Sequence, residues 1–170
     1  KQKKTMAIRR LYAGLAIGIL ILGITSAVMA ETLNYKFYTR VVKSETFLIP
    51  DADGHEVGLN VRDGVWTFEN GDVAFGTTIV FFDRTKGVGS LNQYGTLTFR
   101  DGSTIVTHTV GTTGGTTGKV TGEIIHGTGR FQGIKGTAMN PEIKFFRLEK
   151  GESHPKSFGD GILNYTLPPK

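Results

Sequence analysis

The pattern of apolar and polar positions changes once along the chain, at about residue 30. From Leu11 to Ala30 the residues are apolar except for Tyr12, Thr25 and Ser26. After Ala30 apolar and polar residues alternate, as is typical of a strand with one buried face, and no stretch there has a sustained helical period. The pattern therefore predicts an apolar leader over residues 1–30 and one all-β domain over residues 31–170.

The strands are predicted from β-branched and aromatic runs, separated by the turn dipeptides Asp53-Gly54, Asp63-Gly64, Asn70-Gly71, Asp101-Gly102 and Asp160-Gly161. The predicted strands lie near 32–43, 56–61, 64–70, 72–83, 88–100, 103–111, 118–126 and 136–148, with a further closing strand at 161–167. About eight short antiparallel strands in a small domain form a sandwich or a closed barrel. We expect the barrel, because glycine is abundant and lets strongly coiled strands bend.

Two segments are predicted to connect strands. Residues 43–56 contain Phe47, Leu48 and a polar run that ends at His55, which indicates a lid or a long connection at one barrel mouth. Residues 111–118 have the sequence GTTGGTTG. Side chains this small pack poorly, so we expect a mobile hairpin tip there.

The net charge of +5, from 20 Lys and Arg against 15 Asp and Glu, is confined to the leader. Five basic residues and no acidic ones lie in residues 1–30: Lys1, Lys3, Lys4, Arg9 and Arg10. Residues 31–170 consequently hold equal numbers of basic and acidic side chains. A neutral domain offers no basic field to a phosphate backbone, so nucleic acid is not an expected partner.

The leader has two interpretations. A basic segment, an apolar run and the ending Val28-Met29-Ala30 fit a signal peptide that is cleaved before Glu31. About 20 apolar residues also suffice to span a hydrocarbon core of about 30 Å as an uncleaved transmembrane anchor. Gly14 and Gly18 form a small-xxx-small pattern that allows close packing of membrane helices, which favours the anchor. We expect the domain on the periplasmic or extracellular side in both cases.

Candidate chemistry is sparse. The chain has no cysteine, and it lacks a nucleophile elbow, a P-loop, a Rossmann fingerprint and a zinc motif, so neither a metal nor a cofactor is expected. Glu123, His108 and His126 are weak catalytic candidates on neighbouring predicted strands. A carboxyl group buried in an apolar barrel has a raised pKa and can act as a general acid or base. The alternative is that all of these side chains lie on the strand surface.

Aromatic residues are the strongest positive signal after the leader. The candidates for a ligand or partner surface are Trp66, Phe75, Phe81, Phe82, Phe99 and Phe131. Such residues either fill a small barrel or line a ligand cavity, and the two cases look alike in sequence. An apolar second face of residues 73–83, with Val80 and Phe82, would instead dock a partner subunit or a membrane surface.

Two segments carry a family resemblance, Tyr94-Gly95-Thr96-Leu97-Thr98-Phe99 and residues 127–137, with the sequence GTGRFQGIKGT. Together they resemble the allene oxide cyclase-like barrels and, more distantly, the dirigent proteins. The resemblance implies an eight-stranded antiparallel barrel with an apolar lumen, often trimeric in the plant enzymes. It also implies a cavity for an unsaturated fatty-acid epoxide, served by a carboxylate and a cysteine. This chain has no cysteine, and no motif places a carboxylate in the lumen.

The sequence leaves two functions open. The first is a non-catalytic extracytoplasmic barrel, anchored in the membrane and acting as a binding module or accessory subunit of a membrane protein complex. Its partners would be the membrane and another membrane-protein subunit or a second copy of the chain. The alternative is an exported allene oxide cyclase-like or dirigent-like protein that binds a hydrophobic small molecule and controls its cyclisation.

Overall fold

A computed structural model describes residues 30–146 and 155–169, and this part of the chain is a closed antiparallel barrel. Its eight strands follow one another around the barrel in chain order. They are β1 (Ala30–Leu48), β2 (His55–Phe68), β3 (Val73–Thr85), β4 (Val88–Phe99), β5 (Thr104–Gly114), β6 (Thr117–Gly127), β7 (Lys135–Phe146) and β8 (Lys156–Thr166). β8 pairs with β1 and closes the barrel. The predicted all-β barrel is confirmed.

The leader, with Gly14 and Gly18, lies outside the described residues. Within the described ranges, no helix has the length and apolar character needed to cross a membrane. The single short helical segment there is a 3-10 turn, Gly129–Phe131, between β6 and β7.

Three of the predicted glycine turns are confirmed. Gly54, Gly71 and Gly102 have φ of 73°, 86° and 81°, in the left-handed region that favours glycine. Each lies in a short connection between neighbouring strands. At these three positions the glycine dipeptide correctly predicts a turn between two strands.

The other two turn predictions are wrong, because Gly64 lies inside β2 and Gly161 inside β8. Predicted strands 56–61 and 64–70 are accordingly one strand. A Cβ atom on Gly64 would overlap the carbonyl oxygen of Tyr38, and one on Gly161 would overlap the ring of Tyr35. Both glycines permit close packing inside the sheet rather than a reversal of the chain.

The predicted long connection at 43–56 and the predicted tip at 111–118 are also shorter than expected. β1 and β2 remain paired as far as Leu48 and Glu56, which leaves only residues 49–54 between the strands. β5 and β6 are separated by Gly115 and Thr116 alone. Backbone pairing requires no side-chain volume, so small and polar residues extend these hairpins.

The two ends of the barrel differ. At the closed end, where β1 begins and β8 ends, aromatic rings fill the interior: the ring centres of Phe68 and Phe99 are 5.3 Å apart and those of Phe99 and Phe131 are 4.8 Å apart. The 3-10 turn brings Phe131, only 4% exposed, into this cluster. At the opposite end, the mouth, the hairpin turns at 49–54, 86–87 and 115–116 surround the entrance to the lumen.

Candidate functional site

The half of the lumen nearer the mouth contains a cavity of about 540 Å³. Cavities that bind small molecules are usually about 300–1,000 Å³ and combine apolar walls with a few polar groups. The apolar walls include Phe37, Trp66, Val80, Phe82, Leu91 and Ile143. The polar groups include Thr39, Asn60, Arg62, Thr78, Asn140 and Ser157. The cavity therefore has the size and composition of a ligand site.

Strand β2 contributes the most informative side chains. Asn60, Arg62 and Trp66 lie on the same face because successive residues of a strand point to opposite sides of the sheet. Gly64 occupies the position between Arg62 and Trp66 on that face, where there is no room for a side chain. One strand thus presents an amide, a guanidinium group and an indole ring at increasing depth from the mouth.

The floor of the cavity is aromatic. Trp66 stacks on Phe37 with 6.2 Å between ring centres, and Tyr35 lies against Phe37 at 6.4 Å. Asn140 Nδ2 donates a hydrogen bond of 2.9 Å to the hydroxyl oxygen of Tyr35. Burial raises the pKa of Tyr35 to about 12, so its hydroxyl group is neutral near pH 7. Tyr35 therefore supports the floor without acting as a base.

Arg62 lies above this floor as a buried cation. Its side chain is 9% exposed, and its Nη1 atom donates a hydrogen bond of 2.7 Å to Ser157 Oγ, which is itself 2.7 Å from Thr39 Oγ1. Arg62 Nε has no hydrogen-bond partner, and no carboxylate of the described residues forms an ion pair with this guanidinium group. Burial lowers the pKa of Arg62 to about 10, so it remains protonated at neutral pH.

A second arginine lies nearer the mouth and is paired. Arg84 Nε donates to Glu56 Oε1 at 2.6 Å, and its guanidinium carbon lies 4.4 Å from the ring centre of Phe82. Among the described residues that line the cavity, the charged groups are Arg62, Arg84 and Glu56. The carboxylate of Glu56 compensates the charge of Arg84, and the charge of Arg62 has no carboxylate partner among these residues.

The structure divides the six aromatic candidates among three environments. Trp66 and Phe82 line the cavity, whereas Phe99 and Phe131 fill the closed end. Phe75 and Phe81 lie on the outer surface, 66% and 45% exposed. The aromatic residues selected from the sequence therefore belong to three different parts of the barrel: the cavity wall, the core and the exterior.

The predicted orientation of β3 is wrong. Val80 and Phe82 do not form an outward docking face, since both are buried in the lumen. The outward face carries Phe75, Ile79 and Phe81 instead. Both faces of this strand are apolar, so hydrophobicity alone does not select the inner one. Crowding selects it, because the lumen face has small residues such as Gly76, where a Cβ atom would collide with Trp66 and Leu97.

The three catalytic candidates lie outside the lumen. His108 on β5 is paired in register with Glu123 on β6, and its ring stacks on Tyr94 with 4.5 Å between centres. Its Nε2 atom lies 2.9 Å from Asn92 Oδ1. Glu123 and His126 are exposed. The structure thus brings His108 and Glu123 together, but on the exterior and away from the cavity. Within 30–146 and 155–169, no group of three potential metal ligands is present.

Sequence reasoning missed Arg62, although the signal was present. Arg62, Trp66 and Phe68 are separated by even numbers of residues and so share a face of one strand. The predicted turn at Asp63-Gly64 interrupted that alternation and separated Arg62 from the aromatic residues. Asn140 and Ser157 carried no comparable signal, because their roles depend on strands that are distant in sequence.

Comparison with known proteins gives a likeness in structure only. No family model matches the chain, and no curated protein sequence matches it. The pterocarpan synthase dirigent protein PsPTS1 is similar with a TM-score of 0.47 and 17% identity, over 82% of this chain and 97% of that one. The pterocarpan synthase dirigent protein GePTS1 is similar with a TM-score of 0.48 and 16% identity, over 85% and 97%. The assignment of the barrel rests on its own strand pairing.

Proposed function

We propose that this protein is a binding barrel that admits a predominantly apolar small molecule through its mouth and holds it in the lumen. The observation that carries the proposal is the cavity of about 540 Å³, with aromatic walls and a few convergent polar groups. Burial of apolar ligand surface there supplies the driving force for binding. The one carboxylate among the described lining residues, Glu56, is bound to Arg84, which supports binding rather than acid–base catalysis.

The proposal is tested with the neutral fluorescent probe N-phenyl-1-naphthylamine. We expect its fluorescence to rise on addition of the full-length protein. Val80→Trp, which adds volume inside the cavity, should weaken the binding at least about tenfold. Ile79→Trp is the matched control, since Ile79 is the neighbouring residue on β3 and is 41% exposed on the exterior. Equal binding by both variants would contradict a lumen site.

Control of ring closure in the bound molecule is the narrower form of the same proposal. A flexible substrate enclosed by rigid walls loses most of its conformers, which favours one cyclised product. The test is conversion of an unsaturated fatty-acid epoxide with and without the protein, followed by chiral chromatography of the product. An excess of one enantiomer only in the presence of protein is expected. A racemic product under both conditions would limit the role to binding.

A membrane-anchored accessory subunit is a second candidate function. It is supported by the exposed apolar exterior of β3, where Phe75, Ile79 and Phe81 share one face. Purification of the protein from native membranes in mild detergent tests this role. Co-purification of another subunit that is lost in a Phe75→Ser/Phe81→Ser variant would support it. A cleaved, freely soluble monomer would exclude it.

A further inference from the structure

Arg62 identifies a second requirement of the cavity besides apolar burial. A charge removed from water is costly unless an opposite charge or a complete set of hydrogen bonds compensates for it. Arg62 is 9% exposed, its Nε atom has no partner, and its Nη1 atom donates to the neutral hydroxyl group of Ser157. The barrel therefore maintains a cation in its lumen that its own described residues leave incompletely satisfied.

The charge of the lining residues specifies the sign of the missing group. Glu56 and Arg84 compensate each other across 2.6 Å, which leaves the positive charge of Arg62. A carboxylate suits a guanidinium group because its two oxygens accept two parallel N–H bonds. One ligand carboxylate would therefore neutralise the cavity and provide the acceptor that Arg62 lacks.

The depth of Arg62 specifies the orientation of the ligand. Its partner Ser157 pairs with Thr39 on β1, and Thr39 pairs in turn with Gly64, two residues from Trp66 on β2. The guanidinium group is therefore directed toward the floor, and its carbon atom lies 5.3 Å from the ring centre of Phe145. The walls nearer the mouth than Arg62 include the apolar residues Phe82 and Leu91, beside the paired charges of Glu56 and Arg84. These walls suit a hydrocarbon tail that extends from the floor toward the mouth.

We propose that the ligand of this barrel is an amphiphile with one carboxylate, bound head-first, with the carboxylate on Arg62 and the apolar tail directed toward the mouth. The inference rests on the proposed binding function and names the ligand class that this function serves. It assigns Arg62 as the specificity-determining residue of the cavity. Ser157 and Thr39 act as positioning residues that hold the guanidinium group through their hydroxyl groups.

The test compares three probes with the same ten-carbon tail: decanoate, decanol and decyltrimethylammonium. The full chain is kept in solution by an amphipathic polymer, because detergent would compete for the cavity. Trp66, the one tryptophan of the chain, lines the cavity and reports binding by its fluorescence. We expect decanoate to bind at least about tenfold more tightly than decanol, in line with the strength of charge-assisted hydrogen bonds, and the ammonium probe to bind most weakly.

Variants of Arg62 isolate the contribution of its charge. Arg62→Met should remove the preference for decanoate and leave decanol binding within about threefold, since the apolar contacts remain. Arg62→Lys should keep part of the preference, because lysine provides a point charge without the planar fork. Arg40→Met is the matched control, since it removes an arginine from the exposed face of the neighbouring strand β1. This variant should bind all three probes like the unaltered protein.

The orientation is tested with brominated acids, because bromine quenches indole fluorescence at short range. 2-Bromodecanoate should quench Trp66 more strongly than 10-bromodecanoate when both are bound to saturation. Stronger quenching by the 10-bromo acid would overturn the head-first arrangement.

The outcomes separate this inference from the binding function itself. If decanol and decanoate bind equally well, or if Arg62→Met weakens both alike, the carboxylate assignment is wrong and the binding function stands. If none of the probes changes the fluorescence of Trp66, and N-phenyl-1-naphthylamine also fails to bind, the binding function is wrong as well. Comparison of decanoate with decanol on the unaltered protein remains decisive even if an Arg62 variant does not fold.

Discussion

At the scale of single residues, glycine has two unrelated roles in this barrel. At Gly71 and Gly102 it provides a positive φ in a hairpin turn. At Gly161 it provides space, because the ring of Tyr35 on the neighbouring strand lies where a Cβ atom would be. Tyr35 is buried, and its hydroxyl group accepts a hydrogen bond from Asn140, so burial and this bond both oppose a shift of the ring. The same residue type thus meets a conformational requirement at one position and a steric one at another.

Gly161→Ala should therefore destabilise the barrel by about 1–3 kcal/mol, the usual cost of forcing atoms into a packed interior. Gly114→Ala is the matched control, since nothing lies within 4 Å of a Cβ atom built at Gly114. The control should change the free energy of unfolding by about 0.5 kcal/mol or less. Urea denaturation followed by circular dichroism measures both values. Equal effects would show that Tyr35 yields to the added methyl group.

The same contrast explains which turns the sequence predicts. A dipeptide such as Asn70-Gly71 favours a turn through the conformational preferences of its own residues, and it forms one. Asp160-Gly161 is the same type of dipeptide, but glycine is required there because the ring of Tyr35, which is distant in sequence, leaves no room for a side chain. Local pattern therefore predicts the strand positions well and overestimates the number of turns.

At the scale of elements, polar contacts at the mouth join the hairpin between β1 and β2 to β3 and to the turn that follows it. His55 contacts Asp51 through Nδ1, and its Nε2 lies 3.0 Å from Asp83 Oδ1 on β3. The amide of Lys86 donates to the carbonyl oxygen of Gly54 at 2.9 Å. Lys86 Nζ also lies 2.9 Å from Asp53 Oδ2, and the amide of Gly115 donates to the carbonyl oxygen of Gly87 at 3.0 Å. The turns that surround the entrance to the cavity are thus joined by His55, an ion pair and two backbone hydrogen bonds.

The contacts of His55 with Asp51 and Asp83 should depend on pH. The hydrogen bonds to Asp51 and then Asp83 raise the pKa of His55 above its ordinary value, and the contact with His55 lowers the pKa of Asp51. The histidine contribution is fully present below about pH 6.5 and is lost as the pH rises through the raised pKa of the folded state. The aspartate contribution is lost as the pH falls through the lowered pKa of Asp51.

We expect the backbone amide of Lys86 to be best protected from hydrogen exchange between these two limits, after correction for the intrinsic exchange rate. His55→Gln should flatten the pH dependence. His126→Gln is the control, since His126 is exposed on β6, away from the mouth. If His55→Gln left the pH dependence of Lys86 exchange unchanged, the histidine would not stabilise the contact between the turns. NMR titration of the His55 ring tests the direction of its pKa shift independently.

At the scale of the whole molecule, closure of the barrel depends on pairing between the first and the last strand. Thr32 on β1 is opposite Asn164 on β8, and Thr32 Oγ1 donates a hydrogen bond of 2.8 Å to Asn164 Oδ1. No other described strand pair joins residues so far apart in sequence. The two ends of the domain must therefore meet before the outer edges of β1 and β8 are covered.

A disulfide between these strands tests the closure and its register. The chain has no cysteine, so Thr32→Cys/Asn164→Cys creates a single pair. We expect spontaneous oxidation and a gain of about 2–4 kcal/mol in the free energy of unfolding, because the bond closes a long loop. Thr32→Cys/Asp160→Cys is the control, since Asp160 pairs with Lys36, about 13 Å away along β1. Efficient bonding in the control would mean that the register is different.

The sequence predicts the barrel far better than it predicts the cavity. Alternation and turn residues locate nearly every strand, because both are local properties of the chain. Whether the lumen is filled depends on the sum of side-chain volumes from all strands at each level. Phe131 fills one end, whereas Thr39, Thr78 and Ser157 leave space at the other. No single strand contains that information.

The difference between the two barrel ends has a practical consequence for measurement. Ala30 and Thr166 are paired at the closed end, so the first and last strand residues of the barrel lie on the side opposite the mouth. A chip or bead attached at Ala30 or Thr166 would face the closed end, and analytes would still reach the lumen from free solution. With one indole in the cavity wall as an intrinsic reporter, the immobilised barrel would serve as a label-free optical sensor.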